Sequence, residues 1–231
     1  MGPFRVFIGY DPREDAAYEV CRFSMLRRAS VALEVQPLKL STLRETGYYS
    51  RPEDPKASTE FSYSRFLVPA LAGYRGHALF CDCDFLWLAD VANLIALVDD
   101  SMAVQCVHHD YRPPEKIKMD GRPQSQYPRK NWSSLMLFNC GHPSTQRLTV
   151  DRVNAEHGSY LHGMQWADDS EIGSLPGEWN WLEGWNKLDR GMLPKAVHFT
   201  RGGPWFEQWK SVEFSDAWAA EHKAMELDPI R

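Results

Sequence analysis

Two aspartates, Asp82 and Asp84, stand one residue apart in the segment Leu79-Phe80-Cys81-Asp82-Cys83-Asp84-Phe85-Leu86-Trp87. On an extended chain alternate side chains share a face, so both carboxylates point the same way. Paired carboxylate oxygens suit a hard divalent ion, Mn²⁺ or Mg²⁺, which keeps open positions for the oxygens of a diphosphate. An ion there offsets the charge that builds on a departing nucleoside diphosphate. The spacing alone is a weak signal, because at ordinary aspartate usage Asp-x-Asp arises by chance about once in a chain this long. Its context raises it: an apolar strand leads into the pair and an apolar run follows, whereas solvated or helix-capping aspartates are the plainer alternative. Cys81 and Cys83 alternate to the opposite face, and no second cysteine pair completes a tetrahedral zinc site. The five cysteines (Cys21, Cys81, Cys83, Cys106, Cys140) sit mostly inside apolar runs and read as buried thiols rather than a disulfide framework.

The elements that must position such a pair can be traced along the chain. Residues 5–8 form a short β-rich run ending at Gly9-Tyr10-Asp11-Pro12, after which Ala16, Ala17, Val20, Phe23, Met25 and Leu26 can line a helix face. Residues 33–38 alternate as a strand does, and residues 41–56 read as a polar loop punctuated by Gly and Pro. Residues 61–71 read as a helix with Phe66 and Leu67 inward, in which Pro69 fits badly. Residues 77–81 are a compact apolar strand that stops at Asp82, with a short helix over 91–98 behind it. Carboxylates at a strand's carboxyl end lie where α/β sheets place their ligands. Further strands are expected at 102–107 and 133–138, separated by an irregular segment over 108–130 whose length is itself a mark of function or mobility. A helix near 148–156, an acidic turn at 168–171, a strand at 196–199 and an amphipathic helix over 215–227 complete the pattern. The alternation predicts one α/β domain over residues 1–231, with 207–231 as a C-terminal helical tail.

Bulk properties narrow the function classes. A formal net charge of −5 without any Lys/Arg run argues against a nucleic-acid surface, which needs clustered positive charge. The first residues lack the basic and long apolar regions of a secretory signal, and no stretch approaches the roughly 18 apolar residues that span a bilayer. The cytoplasm is therefore the expected location, with peripheral membrane contact left open.

The motifs Phe7-Ile8-Gly9-Tyr10-Asp11, Ser64-Arg65-Phe66, Phe80-Cys81-Asp82-Cys83-Asp84, Asn131 to Asn139 and Val197-His198-Phe199, taken in this order, resemble the glycogenin-like retaining glycosyltransferases of family 8, in particular their small bacterial branch. The resemblance runs roughly from Arg5 to Phe206 and implies a single-domain GT-A fold, the nucleotide-diphospho-sugar transferase fold, with a mixed, mostly parallel central sheet. It implies that Tyr10 stacks on the base and Asp11 contacts the nucleoside; the plainer reading is an ordinary Tyr-Asp-Pro turn. Arg65 matches a helix arginine that approaches the donor, a surface salt bridge being the alternative. Lys130, Asn131 and Asn139 bracket the strand that carries sugar-contacting amides in the family, although Asn139 can equally cap the next turn. Asp169 matches the acidic residue of a sugar-binding Asp-Gln-Asp segment, with Glu171 at the second acid, Ser170 in place of the glutamine, and Asp168 competing for the alignment. His198 corresponds to a third metal ligand, where a lone histidine is otherwise more often a core residue. In the segment Thr200-Arg201-Gly202-Gly203-Pro204-Trp205 the family's diphosphate-binding lysine has no counterpart. Arg201 can supply its charge, and Gly202 with its neighbour can bring backbone N–H groups close to phosphate.

These readings combine into a metal-dependent retaining hexosyltransferase acting on a nucleoside diphosphate sugar, most simply UDP-linked, and on a carbohydrate or glycoconjugate acceptor. Asp82, Asp84 and His198 hold Mn²⁺ or Mg²⁺ in this reading. Two rivals stand beside it. A nucleotidyltransferase acting on sugar phosphates can use a similar carboxylate pair, but normally follows its first strand with a Gly/Lys/Arg-rich phosphate loop, in which Gly9-Tyr10-Asp11-Pro12-Arg13-Glu14 is poor. A non-catalytic carbohydrate-binding module accounts for the nine tryptophans without needing the metal pair.

Overall fold

The computed structural model describes residues 2–54, 57–111, 128–188 and 193–228. Most of the irregular segment expected over 108–130 lies outside the described residues. Two sheets organise the chain. The larger is built from β1 (Phe4–Gly9), β2 (Leu33–Leu38), β3 (His77–Cys81), β5 (Val104–Cys106), β6 (Leu135–Asn139) and β7 (Ile172–Ser174), in the order β2-β1-β3-β6-β5-β7. β6 alone runs against the other five. The smaller sheet joins β4 (Phe85–Trp87), β9 (Ala196–His198) and β8 (Trp181–Leu182), with β9 in the middle. This is a mixed, mostly parallel α/β architecture, as the resemblance implies.

The central strands β1 and β3 are buried on both faces, which is why Val6, Phe7, Ile8, Leu79, Phe80 and Cys81 form continuous apolar runs. β2, at the edge, keeps the alternation of a strand with one wet face. Helix α1 (Asp15–Arg28) packs along β4 and sends Tyr18, Cys21 and Met25 into the main core. Its Val20 belongs to a second apolar cluster with Leu86, Trp181, Val197, Phe199 and Trp218. Helix α7 (Ser215–Leu227) closes that cluster with Trp218 and is tied to α1 by the buried Glu221, which accepts from Arg27 and Arg28. The remaining helices are short: α2 (Leu40–Glu45), α3 (Val68–Leu71), α4 (Ala92–Ile95), α5 (Val150–Ala155) and α6 (Gly158–His162). Among the described residues no helix is long and apolar enough to cross a membrane.

Two expectations need correction. The helix read over 61–71 is broken: a tight 3-10 turn over Ser64–Leu67 is followed by α3, whose second position is Pro69. A helix restarting there needs no N–H from the proline, so the misfit is resolved by ending one turn and beginning another. The segment 41–56, read as loop, opens with α2, which buries Leu43. All five cysteines are free and buried, as expected.

Trp218 is the residue through which α7 reaches the second cluster, so Trp218→Ala should lower unfolding free energy by roughly 3–5 kcal/mol. Urea denaturation of both proteins measures this, and a loss below about 1 kcal/mol would show that α7 is not structurally coupled to the sheet.

Candidate active site

The link from β3 to β4 is held by both sheets. Asp82 donates its N–H to the Ser134 carbonyl at 2.9 Å, extending the β3–β6 ladder by one residue, and the Asp84 carbonyl accepts from Phe199 N–H at 3.0 Å. Register then places Phe85 opposite His198, whose imidazole stacks on the Phe85 ring at 4.6 Å and 16°. The outcome is that one ligand atom from each of Asp82, Asp84 and His198 lies within 4.8 Å of the others. Two carboxylate oxygens and an imidazole nitrogen form a donor set that can hold a divalent metal ion. Cys81 and Cys83 turn toward the first helix instead: Cys81 meets Cys21 at 4.0 Å, and the Cys83 thiol donates to Glu14 at 3.3 Å.

These three residues line one side of a cavity of about 420 Å³, within the range of small-molecule sites. The carboxylates of Asp82 and Asp84 are 13% and 15% exposed, so their mutual repulsion is only partly screened. Arg65 offsets part of it. Its guanidinium is buried between the Phe61 and Phe80 rings, and Nη1 lies 2.8 Å from Asp82 Oδ1 and 2.9 Å from the Ser133 carbonyl. It is therefore a fixed counter-charge rather than a surface partner. Glu14, which also lines the cavity, adds a third acid: burial first and the Asp84 charge second push its carboxyl up to about 8. Near neutral pH it is largely protonated, which keeps a third negative charge out of the cluster.

Of the other residues marked in the sequence, Lys130, Asn131, Arg201 and Gly202 line the same cavity. Asn131 holds a left-handed backbone, φ 65°, and its side-chain oxygen accepts from Thr200 Oγ1 at 3.3 Å. Arg201 is carried by Glu183, buried at 2% exposure, through a 3.1 Å ion pair. Its guanidinium lies over Gly184, where an added Cβ would come within 1.7 Å of Nη2. The Gly202 N–H, expected to face phosphate, is used inside its own turn, donating to the Phe199 carbonyl at 2.5 Å.

Four marked residues are not part of the cavity lining. Asn139 pairs with His77 at the start of β3, while Cys81 pairs with Leu135 at its end. Because β6 is antiparallel, Asn139 is carried about 13 Å, four extended residues, away from the carboxylate pair. There it caps the next turn, donating to the Asp100 carbonyl and accepting from Gly141 N–H. Asp169 is exposed and paired with Arg129 at 2.5 Å, beside an Asp168–Glu171 capping box. The Asp11 carboxylate is consumed by Arg13 and by the Glu60 N–H. Burial raises its pKa, but these bonds hold it below the usual carboxylate range. Tyr10 sits edge-on to Tyr18 at 5.3 Å with Lys39 over its ring at 4.5 Å, and its hydroxyl donates to Asp15, which pushes its pKa up to about 12. The β1 turn thus delivers Arg13 and Glu14, rather than Tyr10 and Asp11, to the cavity wall.

Residues that the sequence did not mark complete the site: Glu14, Glu183, Asn180 behind His198, and a far wall that includes Asp54, Tyr63, His157 and Ser159. For Glu14 the available signal was its place three residues after Asp11, which reads as a helix cap. The others carry no local signal.

No family model matches the chain. Protein CDI of Arabidopsis thaliana is 54% identical over 222 residues, covering 95% of this chain and 86% of that protein. The chain belongs to the family of Protein CDI. The backbone of this Protein CDI relative is also similar to solved glycosyltransferases. The apo form of glycosyltransferase GlyE from Streptococcus pneumoniae TIGR4 superposes with a TM-score of 0.63 at 14% identity, over 96% of this chain and 60% of that one. The galactosyltransferase LgtC in complex with donor and acceptor sugar analogues gives 0.59 at 11% identity, over 96% of both chains. The bifunctional glycosyltransferase WbbM gives 0.63 at 17% identity, over 95% of this chain and 49% of that one. The chain thus spans about three fifths of GlyE and half of WbbM. At these identities the likeness shows the fold, and the fold is GT-A.

The protonated Glu14 has a consequence for stability. Between the ordinary glutamate value of 4.5 and its raised value near 8, the folded metal-free protein holds a proton that the unfolded chain has released. Stability therefore falls as pH rises through this window, and Glu14→Gln should remove that part of the slope. Urea unfolding of the metal-free proteins at pH 5 and pH 8 tests this: Glu14→Gln gains on wild type at the higher pH. An identical difference at both pH values would remove Glu14 from the charge balance of the site.

Proposed function

We propose that the chain is a metal-dependent glycosyltransferase that moves a hexose from a UDP-linked donor to a carbohydrate or glycoconjugate acceptor with retention of anomeric configuration. The observation that carries this is the convergence of Asp82, Asp84 and His198 on one wall of a cavity at the carboxyl ends of β1 and β3. Asp82, Asp84 and His198 would hold Mn²⁺ or Mg²⁺, which supplies Lewis-acid stabilisation of the departing diphosphate. Arg65 holds Asp82 in place by their 2.8 Å pair, and Arg201 presents its guanidinium to the diphosphate from the Glu183–Gly184 cradle. Tyr10 and Asp11 shape the nucleoside end indirectly, through the turn that carries Arg13 and Glu14. Lys130 and Asn131 face the sugar from the wall next to Arg65. Catalysis then rests on positioning and on charge preorganised for the leaving group, without a side chain that forms a covalent intermediate.

The decisive experiment is a thermal-shift series with UDP-sugars and other nucleoside diphosphate sugars, with and without Mn²⁺, followed by NMR of the anomeric proton in the product. Stabilisation that needs both metal and nucleotide supports the reading, because it scales with ligand concentration over Kd. Absence of any metal or nucleotide response would overturn it, and an inverted anomer would overturn retention alone. Asp84→Asn keeps the volume but loses the charge that binds a hard cation, so Mn²⁺ binding by calorimetry should be abolished while the fold persists.

Gly184 tests the anion end. Gly184→Ala puts a methyl into the space of the Arg201 guanidinium at a backbone φ of 69° that favours glycine. It should weaken UDP affinity by about 1.5–3 kcal/mol, the range of one charge-assisted hydrogen bond, and Arg201→Ala added on top should cost little more. Full additivity of the two substitutions would show that Gly184 does not act through Arg201.

A further inference from the structure

Behind His198 runs a buried row of polar groups whose hydrogens can be placed from one end. The Asn131 carbonyl can only accept, and Ser134 Oγ lies 2.6 Å from it, so the hydroxyl proton of Ser134 points there. A hydroxyl has one proton. Toward Asn180, Ser134 can therefore only accept, and the Asn180 amide nitrogen must be the group 2.9 Å away. That fixes the orientation of the amide, which is otherwise ambiguous. Its oxygen then lies 2.9 Å from His198 Nδ1 and accepts the proton carried there.

We propose that Asn180 is a positioning residue that locks neutral His198 in the Nδ1–H form and so presents its Nε2 lone pair to the cation. Nε2 lies 3.4 Å from Asp84 Oδ1, and in the neutral ring neither atom carries a proton, so the two lone pairs face each other across a gap suited to a positive ion. Asn180, Ser134 and His198 are 0%, 2% and 1% exposed, which leaves no bulk water to scramble the row. The Phe85 ring holds the imidazole plane from its face, so the ring can neither flip nor tilt freely. His109, the other histidine beside Asn180, has its pKa pushed down to about 3, by burial above all, and so adds no positive charge against a bound ion. An amide also suits position 180 better than a carboxylate would in one respect: it donates to Ser134 while accepting from His198, satisfying both neighbours with one group. Partners behind a ligating histidine typically matter 10- to 100-fold for metal affinity.

The metal half of this inference rests on the proposed cation site; the tautomer half does not. The first measurement is ¹⁵N NMR of the His198 ring in metal-free wild type at pH 8. The Nδ1–H form is expected, and an Nε2–H form would overturn the relay. The second is Mn²⁺ affinity by calorimetry, alongside metal-free stability, for Asn180→Leu, Asn180→Asp and Ser134→Ala. Asn180→Leu keeps the volume without polar atoms and should weaken Mn²⁺ binding 10- to 100-fold. Asn180→Asp, which keeps an oxygen facing Nδ1, should stay within a few-fold of wild type. Ser134→Ala should fall between them, and combining it with Asn180→Leu should add no further loss. A purely structural role would show lowered melting temperatures with unchanged Mn²⁺ affinity in the folded fraction, which overturns the proposal. If Asn180→Leu does not fold, the wild-type tautomer and the Asn180→Asp and Ser134→Ala affinities decide. Wild type that binds no Mn²⁺ defeats the cation site itself, whereas wild type that binds Mn²⁺ with an Nε2–H His198 defeats only the role of Asn180.

Discussion

Holding Asp82 and Asp84 side by side, largely out of water and with Glu14 close by, sets the constraint that the surrounding structure answers. Like charges at that depth repel strongly, and an unoffset acid there would favour unfolding or protonation. Two of the acids are offset: Asp82 is paired with the buried Arg65, and Glu14 keeps its proton while accepting from the Cys83 thiol. Asp84 faces Nε2 of His198, whose lone pair offsets none of its charge in the Nδ1–H form. The uncompensated remainder is the attraction available to a cation. The same arrangement explains the choice of scaffold: Asp82 is held by β6 in the large sheet, Asp84 and His198 by β9 in the small one, and the short link between β3 and β4 joins them together with the Ser134–Asn180–His198 hydrogen bonds. A change that slides one sheet against the other therefore separates the ligands before it exposes much core.

The elements that local pattern could reveal were those long enough to show a period. β2, β3 and α7 have the bounds read from sequence, since an alternating run, four consecutive apolar residues after His77 and thirteen amphipathic ones are each self-declaring. Of the second sheet only β9, read as a strand over 196–199, was legible. Its other strands, β4 and β8, have three and two residues, too few for any periodicity, and β4 exists because β9 pairs with it across more than a hundred residues of chain. Helix α2 hid in a polar segment because a single inward residue, Leu43, anchors it.

The site divides along the same line. The Asp82–Asp84 pair was visible from its strand, and His198 from the order of motifs rather than from its own surroundings. Asn139 lies away from the cavity lining because a motif on an antiparallel strand shows which residues lie on it but not which end meets the ligands. Asp169 lies outside the lining too, and an acidic turn looks the same in sequence whether its acids cap a helix or face a sugar. Asn180 and Glu183 escaped notice for a different reason: each acts on a residue some eighteen positions away, His198 and Arg201, through contacts that only the folded chain creates.

The anion end shows how one substitution propagates through packing. Position 203, in the segment where the family's diphosphate-binding lysine has no counterpart, cannot carry a side chain without displacing Trp205, because a Cβ on Gly203 would lie 2.1 Å from the Trp205 ring. Trp205 cannot yield easily: it packs edge-on to Phe199 and against Trp218, and Trp218 anchors α7 to the sheet. Under the proposed function the positive charge has to come from elsewhere on the same turn, and Arg201 is the cation there that lines the cavity. Bringing a guanidinium into that space requires a neighbour without a side chain, Gly184, and a buried acid to aim it, Glu183, which also accepts from the Glu213 N–H in the segment leading to α7. The C-terminal helix is thus connected to the diphosphate end of the site along two routes, one apolar through Trp205 and one ionic through Glu183. Its docking and the aim of Arg201 are parts of one packing solution, so a substitution that loosens α7 should reach the anion end before it reaches the carboxylate pair, which β6 and β9 hold independently.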